Sequence, residues 1–390
     1  MPHPDVVLVG PYPTAGQRHA GPTGVASYTA NLAHALSERG AAIQVVAPHE
    51  PDAPDEPSAS CDGDVRVQRA FRRGPRALVH AARAAADHRA PVVHLQHELF
   101  LYGGPSAIPG IVPALAALRR RTPTVVTLHQ VVESRAVDRS FTDLHRVRVP
   151  ASIARCALGG VQRSLSSLAS ACIVHEAPFA EHVAGAEVIP HGVEHRRTPT
   201  REAARAALGL DDRLVVLCFG FVSPYKGLET VLDAGALVGH ERALVVVAGG
   251  PHPRLATAGD PYAADLQATH AGPGARFTGW VPEPDVARWF GAADVAVFAY
   301  PQPFSSSGGL ALAFAHGTPV LLSAPMARCL GAPPELAVGA GAEALAARLR
   351  DLDEPGATDR LAALARPLTD QRRWPAVADT HLELYERLAS

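Results

Sequence analysis

The chain has 390 residues, 19% of them charged, and a formal net charge of −2. This length is enough for two or three domains, each with its own core, and the near-neutral charge excludes a global field that would attract nucleic acid or an anionic membrane. No apolar run approaches the 18 residues of a membrane span, and the first residues lack the pattern of a signal peptide. We therefore expect a cytoplasmic protein without stable membrane insertion.

The first elements predict a βαβ unit. A short apolar strand at 6–9 is followed by a glycine-containing loop, a helix at 24–36 and a strand at 43–47, which implies a parallel sheet. Gly21 and Gly24 bracket a Gly-Pro-Thr-Gly loop whose backbone could approach a diphosphate. The loop is not a GxGxxG motif, and by itself it is more typical of a plain turn.

Residues 48–64 are rich in proline, acidic residues and serine, which predicts a surface loop. The loop contains Asp62 and Asp64 in a DxD pattern that is known from metal–nucleotide sites. No strand is predicted before it, so solvated carboxylates are the favoured interpretation and no metal is expected.

Two further strands end in polar residues. The strand at 92–96 leads into His97, Glu98 and a loop that contains Tyr102, and the strand at 124–128 leads into His129. Ligands of open parallel sheets bind at the carboxyl ends of strands, so these side chains are candidates for a cleft. A single histidine at such a place is more often structural, but two strands that end in histidine favour function.

The alternation of strands and helices ends the first half of the chain and then begins again. Strands at 169–174 and 186–190 close the first half, residues 195–200 are the predicted interdomain linker, and Thr200 is the predicted cap of a helix at 201–208. Later strands are predicted at 214–219, at 243–250 with a glycine exit, at 275–282 as a short strand and turn, at 294–299 and at 319–323, and a last helix is predicted at 375–390. The five cysteines show no paired spacing, which predicts reduced core thiols and neither a disulfide framework nor a zinc site.

A segment of small residues joins the strand at 294–299 to a helix at 310–315 that ends at Gly317. It consists of Ser305, Ser306, Ser307, Gly308 and Gly309. The N-terminus of a helix carries partial positive charge and free N–H groups, which suit a phosphate. A serine that only caps the helix is an equally good interpretation of this segment alone.

Several motifs in order resemble one family: TxH at 127–129, IPHGV at 189–193, PYKG at 224–227, VAGG at 247–250, FTGWVP at 277–282 and AFAHGTPV at 313–320. The chain resembles the retaining nucleotide-sugar glycosyltransferases of glycosyltransferase family 4. The resemblance implies the α/β GT-B fold of two facing Rossmann-like domains. It further implies an acceptor-side domain at 1–192, a nucleotide-sugar-binding domain at 193–372, and a helix at 373–390 that packs back on the first domain.

Two departures from the family pattern stand out. The family's Glu-x7-Glu positions hold Phe304 and Leu312, so the carboxylate that normally holds the nucleotide ribose is absent. The Gly-Arg pair that normally precedes the phosphate-binding lysine is Gly220-Phe221, which removes one positive charge.

The resemblance implies roles for individual residues. His129 would contact the transferred sugar, and Lys226 with the helix start would stabilise the departing diphosphate, an electrostatic task. The donor side would comprise Gly21, Gly24, Gly220, Ser223, Lys226, Gly250, Trp280, Ser305, Ser306, Ser307, Gly308, Gly309 and Leu310. The acceptor side would comprise His97, Glu98 and Tyr102.

The expected activity is transfer of a sugar from a GDP- or UDP-sugar to a small-molecule acceptor in specialised-metabolite or glycan biosynthesis. Stereochemical retention would follow, because the departing phosphate oxygen helps to deprotonate the acceptor; neither a metal nor a cofactor is expected. A GT-B phosphorylase or epimerase and a catalytically inactive donor-binding relative are the alternatives. The sugar, the accepting atom and a homodimer are left open.

Overall fold

The computed structural model describes residues 3–14, 24–50, 53–54, 56–257, 259–303 and 305–390. Fourteen strands lie in these residues: β1 Val6–Val9, β2 Ile43–Pro48, β3 Ser58–Asp62, β4 Val65–Phe71, β5 Val92–His97, β6 Thr124–Leu128, β7 Ala171–Val174, β8 Glu187–Val188, β9 Leu214–Phe219, β10 Ala243–Ala248, β11 Ala275–Gly279, β12 Val295–Phe298, β13 Val320–Ser323 and β14 Ala337–Val338. The α-helices of the same residues are α1 Gly24–Ser37, α2 Ala77–Asp87, α3 Ile111–Arg119, α4 Arg139–Leu144, α5 Ala151–Leu168, α6 Ala177–Ala180, α7 Arg201–Leu208, α8 Leu228–Val238, α9 Pro253–Thr257, α10 Tyr262–His270, α11 Glu283–Ala292, α12 Gly308–His316, α13 Ala324–Leu330, α14 Ala342–Asp351, α15 Ala357–Asp370 and α16 Trp374–Ala389.

Strands β1–β8 form the first sheet, in the order β3-β4-β2-β1-β5-β6-β7-β8. All neighbours pair in parallel except β3 and β4. Strands β1, β5 and β6 are buried along their whole length, so the polar His94, Gln96 and His97 of β5 are buried as well. We call this sheet with its helices the N-terminal half.

Strands β9–β14 form the second sheet, in the order β11-β10-β9-β12-β13-β14, with all neighbours parallel. The chain fills one side of β9 first and then crosses to the other side through β12. The point between β9 and β12 is therefore a topological switch, where open α/β sheets bind ligands. We call this sheet with its helices the C-terminal half.

Strand β3 corrects the prediction of a surface loop at 48–64. It pairs antiparallel with β4 at the edge of the first sheet, and four of its five residues are exposed, so no apolar pattern marks it. Asp62 at its end accepts a hydrogen bond from the Tyr12 hydroxyl at 2.9 Å and lies 3.0 Å from Nε2 of His34. The described residues contain no group of three histidine, cysteine or acidic side chains able to hold a metal.

Helix α16 returns to the N-terminal half, as the fold resemblance implies. Its Trp374, Val377 and Tyr385 belong to the apolar cluster beneath the first sheet. The returning chain runs beside the outgoing one: the Val193 N–H donates to the Arg372 carbonyl at 2.6 Å, and the Trp374 N–H donates to the Val193 carbonyl at 3.3 Å. The fold is thus two parallel α/β halves joined by a paired crossing, whereas the domain limits at 192 and 372 stay a prediction.

A buried ion pair lies next to this crossing. The Arg372 guanidinium donates to the Glu176 carboxylate at 2.7 Å, and both side chains are buried. Burial nevertheless raises the pKa of Glu176 to about 7, against the opposing effect of Arg372.

The cysteine prediction holds for three of the five residues. Cys172, Cys218 and Cys329 are buried free thiols, whereas Cys61 and Cys156 are exposed free thiols and so are not core residues. Among the residues described, no helix is long and apolar enough to cross a membrane.

Candidate functional site

Three backbone segments converge at the carboxyl edge of the second sheet. A Cβ on Gly309 would lie 2.8 Å from the Phe219 carbonyl, and a Cβ on Gly249 would lie 2.1 Å from the Gly220 carbonyl. Side chains at either glycine would therefore collide with backbone. These glycines let the start of α12 and the exit of β10 pack against the exit of β9.

Lys226 ends a short 3-10 turn that follows the exit of β9. Its Nζ lies beside Gly220, because a Cβ built on that glycine would come within 2.8 Å of it. The side chain has no hydrogen bond or ion pair with any described residue, and burial lowers its pKa to about 8. By accessible surface Lys226 is half-buried, and a partly desolvated cation without a partner among the described residues suits an anion that binds from outside the chain.

The small-residue segment forms the N-terminus of α12, which begins at Gly308, two residues before the predicted start. The Ser307 Oγ accepts a hydrogen bond from the Leu310 N–H at 3.3 Å and lies 3.0 Å from the Tyr300 hydroxyl. Ser307 is therefore a helix cap. The Ser306 Oγ is buried and has no partner.

An aromatic group flanks these segments. Trp280 is 64% exposed, and its ring centroid lies 5.9 Å from that of Phe221, which in turn lies 5.3 Å from the His252 ring. A Cβ on Gly250 would meet the Trp280 backbone nitrogen at 3.5 Å. An exposed indole with a half-buried phenyl ring beside it suits the stacking of a flat base. Ser223 is buried, and its carbonyl accepts from the Lys226 N–H.

His129 is 7% exposed, and both of its ring nitrogens are engaged within the protein. Nε2 lies 2.9 Å from the Gln96 side-chain amide, and Nδ1 lies 3.3 Å from Nε2 of His175. The Gln96 atom is the amide oxygen Oε1, so Nε2 of His129 donates to it, and Nδ1 of His175 donates to the Ile189 carbonyl. Burial holds the pKa of His129 well below its usual range, so the ring is neutral.

Sequence reasoning missed Gln96 and His175 as the partners of His129. Position was the available signal: His175 directly follows β7, as His97 and His129 follow or end their own strands. His191 lies close by in the IPHGV motif, with its ring centroid 5.5 Å from that of His175.

The acceptor-side candidates Glu98 and His97 differ in their surroundings. Gln130 donates to the Glu98 carboxylate at 3.2 Å, and the Gln130 backbone pairs with that of Ser305 across the two halves. Glu98 is thereby brought to the small-residue segment. His97 is buried, and burial lowers its pKa to about 4.

Tyr102 lies inside the fold. Its ring is buried, and its hydroxyl donates to the Gln96 carbonyl at 2.8 Å. This bond fixes the ring within its own loop, and a role of Tyr102 on the acceptor side stays a prediction.

Further contacts join the two halves beside Lys226. The His145 ring stacks on that of Tyr225 with centroids 5.6 Å apart, and Nε of Arg146 lies 2.6 Å from the Asp260 carboxylate. Arg146 has a φ of +53°, which is unusual for a residue with a side chain and marks a constrained position. These contacts place the end of α4 against the Lys226 turn.

The structure gives few contacts for the remaining candidate positions. Gly24 begins α1 and has open space where a Cβ would stand, whereas Gly21 and Phe304 lie outside the described residues. Leu312 packs partly buried against the core of the second sheet.

Comparisons with known proteins agree with this architecture. The family model described as Glycosyltransferase Family 4 matches residues 22–197, and the model described as Glycosyl transferases group 1 matches residues 213–354. A GDP-mannose:glycolipid 4-beta-D-mannosyltransferase of Xanthomonas campestris pv. campestris is 33% identical over 44% of this chain and 48% of that protein. A D-inositol 3-phosphate glycosyltransferase of Mycobacterium sp. (strain KMS) is 41% identical over 32% of this chain and 28% of that protein. The match spans less than half the length of each of these curated relatives.

Solved structures match over nearly the whole chain. Sucrose-phosphate synthase from Thermosynechococcus elongatus has a TM-score of 0.76 at 20% identity, covering 98% of each chain. Anabaena Alr3699/HepE, solved with UDP and glucose, has a TM-score of 0.70 at 15% identity, covering 99% of this chain and 100% of that one. At these identities the likeness shows the fold. Both halves therefore match glycosyltransferase models in chain order, and the fold of the protein is the GT-B fold.

Proposed function

We propose that the protein transfers a sugar from a nucleoside-diphosphate sugar to an acceptor. The observation that carries the proposal is the pairing of Lys226, a half-buried cation, with the N-terminus of α12, where the Ser306 hydroxyl is buried; neither group has a partner among the described residues. Both lie at the topological switch of the second sheet. A diphosphate would satisfy both groups at once.

The chemistry follows from where charge develops. As the bond between the anomeric carbon and the diphosphate oxygen breaks, its electron pair leaves with the diphosphate. The Lys226 ammonium and the positive end of α12 stabilise that charge in a poorly hydrated site. The acceptor oxygen bonds to the anomeric carbon, and its proton passes to the departing phosphate oxygen. Attack from the face of the leaving group retains the configuration, and the scheme uses neither a metal nor a cofactor.

UDP and GDP are the donor nucleotides that we favour, and the names of two similar proteins support this choice. One mannosyltransferase relative is named for GDP-mannose, and HepE is solved with UDP. Trp280 and Phe221 would stack on the base, and Ser223 and Gly250 would line the backbone around it. Leu312 cannot replace a ribose-binding carboxylate, so we expect the ribose to contribute less affinity than the diphosphate.

The acceptor would approach from the N-terminal half. Glu98, held by Gln130 next to Ser305, is the candidate to bind its hydroxyl groups. His129 would present its ring edge and not a free nitrogen, because both nitrogens are bonded within the protein. The names of the relatives specify a glycolipid and an inositol phosphate, so a hydroxyl-bearing small molecule or glycan is the class we propose.

A thermal-shift screen against UDP, GDP, ADP, dTDP and CDP tests the donor assignment. Binding to the native state alone adds about 2.7 kcal/mol of stability at one hundred times the dissociation constant. We expect one nucleotide to raise the melting temperature of the wild type and to do so much less for Lys226→Ala. A wild type that responds to none of the five would refute the donor site.

Product analysis tests the reaction. NMR of a product formed from an α-linked donor should show an α-linkage if the configuration is retained, and a β-linkage would refute retention. Tight nucleotide binding with neither hydrolysis nor transfer would indicate the inactive relative that the residues at 304 and 312 allow. Dependence on free phosphate, or conversion of the donor without an acceptor, would indicate a phosphorylase or an epimerase.

A further inference from the structure

The donor site contains a buried tyrosine that the proposed chemistry does not use. Tyr300 lies two residues after β12, is 8% exposed, and its hydroxyl lies 3.0 Å from the Ser307 Oγ. We propose that Tyr300 is a positioning residue: its hydroxyl donates to Ser307 and thereby directs the Ser307 O–H to the diphosphate. This inference rests on the proposed donor site and goes beyond it.

The argument begins with the bonding capacity of one hydroxyl group. The Ser307 Oγ has two lone pairs and one hydrogen. One lone pair accepts from the Leu310 N–H, which caps α12. If Tyr300 donates to the second lone pair, both are occupied and the Ser307 hydrogen is left for an outside acceptor. If Ser307 instead donates to Tyr300, it has no hydrogen for a ligand.

The surroundings of Tyr300 favour it as the donor in the hydrogen bond to Ser307. Burial raises the pKa of its phenol, so the hydroxyl keeps its proton across the neutral range. The ring is held edge-on by Tyr225 and by Phe298, at centroid distances of 6.1 and 6.2 Å. Its backbone carbonyl also accepts from the Ser323 hydroxyl. Ring and backbone are thus fixed, and rotation of the hydroxyl is the freedom that remains.

The neighbours of Ser307 indicate what its hydrogen would meet. Among the described residues, the buried Oγ of the adjacent Ser306 has no partner, and neither has Lys226, a half-buried cation that follows Tyr225 in the chain. Two hydroxyl donors, an ammonium group and a helix N-terminus together match a group with several anionic oxygens. The phosphates of a nucleoside diphosphate are such a group.

Tyr300→Phe removes the hydroxyl and keeps the ring. Isothermal titration with UDP and GDP should show the dissociation constant of the binding nucleotide raised about tenfold or more, since hydrogen bonds to charged groups are strong. The matching nucleoside, uridine or guanosine, should bind the variant as it binds the wild type. Tyr385→Phe is the matched control, because it also removes a buried hydroxyl, bonded to His94 at 2.6 Å, outside the donor site.

A double-variant comparison separates positioning from simple packing. If Tyr300 acts through Ser307, then Tyr300→Phe should have no further effect on nucleotide affinity in a Ser307→Ala background. Effects that add fully would overturn the proposal, as would unchanged nucleotide binding by Tyr300→Phe while Lys226→Ala loses it. In either of those cases the donor site itself stands. If neither UDP nor GDP binds the wild type, the donor site and this inference fall together.

Discussion

His129 is buried and Lys226 half-buried, both near strand exits that face the junction of the two halves, yet they differ in their bonding. His129 has both ring nitrogens engaged by Gln96 and His175, whereas Lys226 and the nearby Ser306 hydroxyl have no partner among the described residues. Buried polar groups are normally satisfied, so those that are not mark where a ligand would complete the bonding. At this junction His129 is bonded within the N-terminal half, and Lys226 with Ser306 is available for a ligand.

The largest expected effect is a loss of folding stability in acid, and its absence would contradict the comparison of the two halves. Burial lowers the pKa of His97, His191 and His381 to about 4, so the unfolded chain binds more protons than the folded one between pH 6.5 and 4. Stability should therefore fall as the pH falls through that window, by about 3 kcal/mol for each such residue at its lower end. Glu176 opposes this between pH 4.5 and 7, because its pKa is raised.

Calorimetric melting between pH 7 and 4.5 measures this sensitivity. His97→Gln should weaken the dependence by about one proton, and His240→Gln, at an exposed site, should leave it unchanged. A melting temperature that stays constant down to pH 4.5 would contradict the neutral, buried state of these rings.

Trp374→Ala should have the next largest effect, a loss of about 3–5 kcal/mol of unfolding free energy, because a large buried ring is removed. Trp374 is 6% exposed, packs against Tyr28 with centroids 5.3 Å apart, and fills the space beside Gly192. The exposed Trp280 is the control, and Trp280→Ala should change stability by no more than about 0.5 kcal/mol. Urea unfolding measures both; equal losses would contradict the docking of α16.

The pH dependence of nucleotide affinity in the Lys226→Arg variant tests the comparison further. In the wild type the affinity for a nucleoside diphosphate should fall above pH 8, about tenfold per pH unit, because the free protein loses the ammonium proton there. Arginine keeps its charge, so the variant should show no such decline even if it binds more weakly. Parallel declines in the two proteins would show that another group titrates.

The smallest effect concerns the contact between the halves. Arg146 and Asp260 form a partly exposed ion pair, for which a coupling energy of about 0.5–1 kcal/mol is expected. A double-mutant cycle of Arg146→Met and Asp260→Asn on unfolding free energy measures it. A coupling of zero would mean that the N-terminal half is not tied to the Lys226 turn by this pair.

Much of the fold was predictable because apolar runs and breaker residues are local signals. The buried strands, the Thr200 cap, the end of α12 at Gly317 and the last helix were all predicted and are observed. Strand β3 was not, because an exposed edge strand has no apolar alternation. The sequence pattern identifies an edge strand only when one face of the strand is buried.

The site was predictable in position but not in bonding. Lys226 and Ser305–Ser307 could be placed from strand exits and motifs. The partners of His129 could not, because Gln96 and His175 come from β5 and from the residue after β7, on either side of β6. Such contacts depend on the order of strands in the sheet, which periodicity does not give. The donation between Tyr300 and Ser307 depends in the same way on the path of the backbone.

The return of α16 has a consequence for synthesis on the ribosome. Domains commonly fold as they emerge, with the N-terminal one first. Here the apolar cluster beneath the first sheet includes Trp374 and Tyr385, which are made after all the strands of the second sheet. The C-terminal half can complete its core while the N-terminal half still waits for its final helix. A nascent chain stalled before residue 373 should therefore expose the uncovered face of β1 and α1 to chaperones until release.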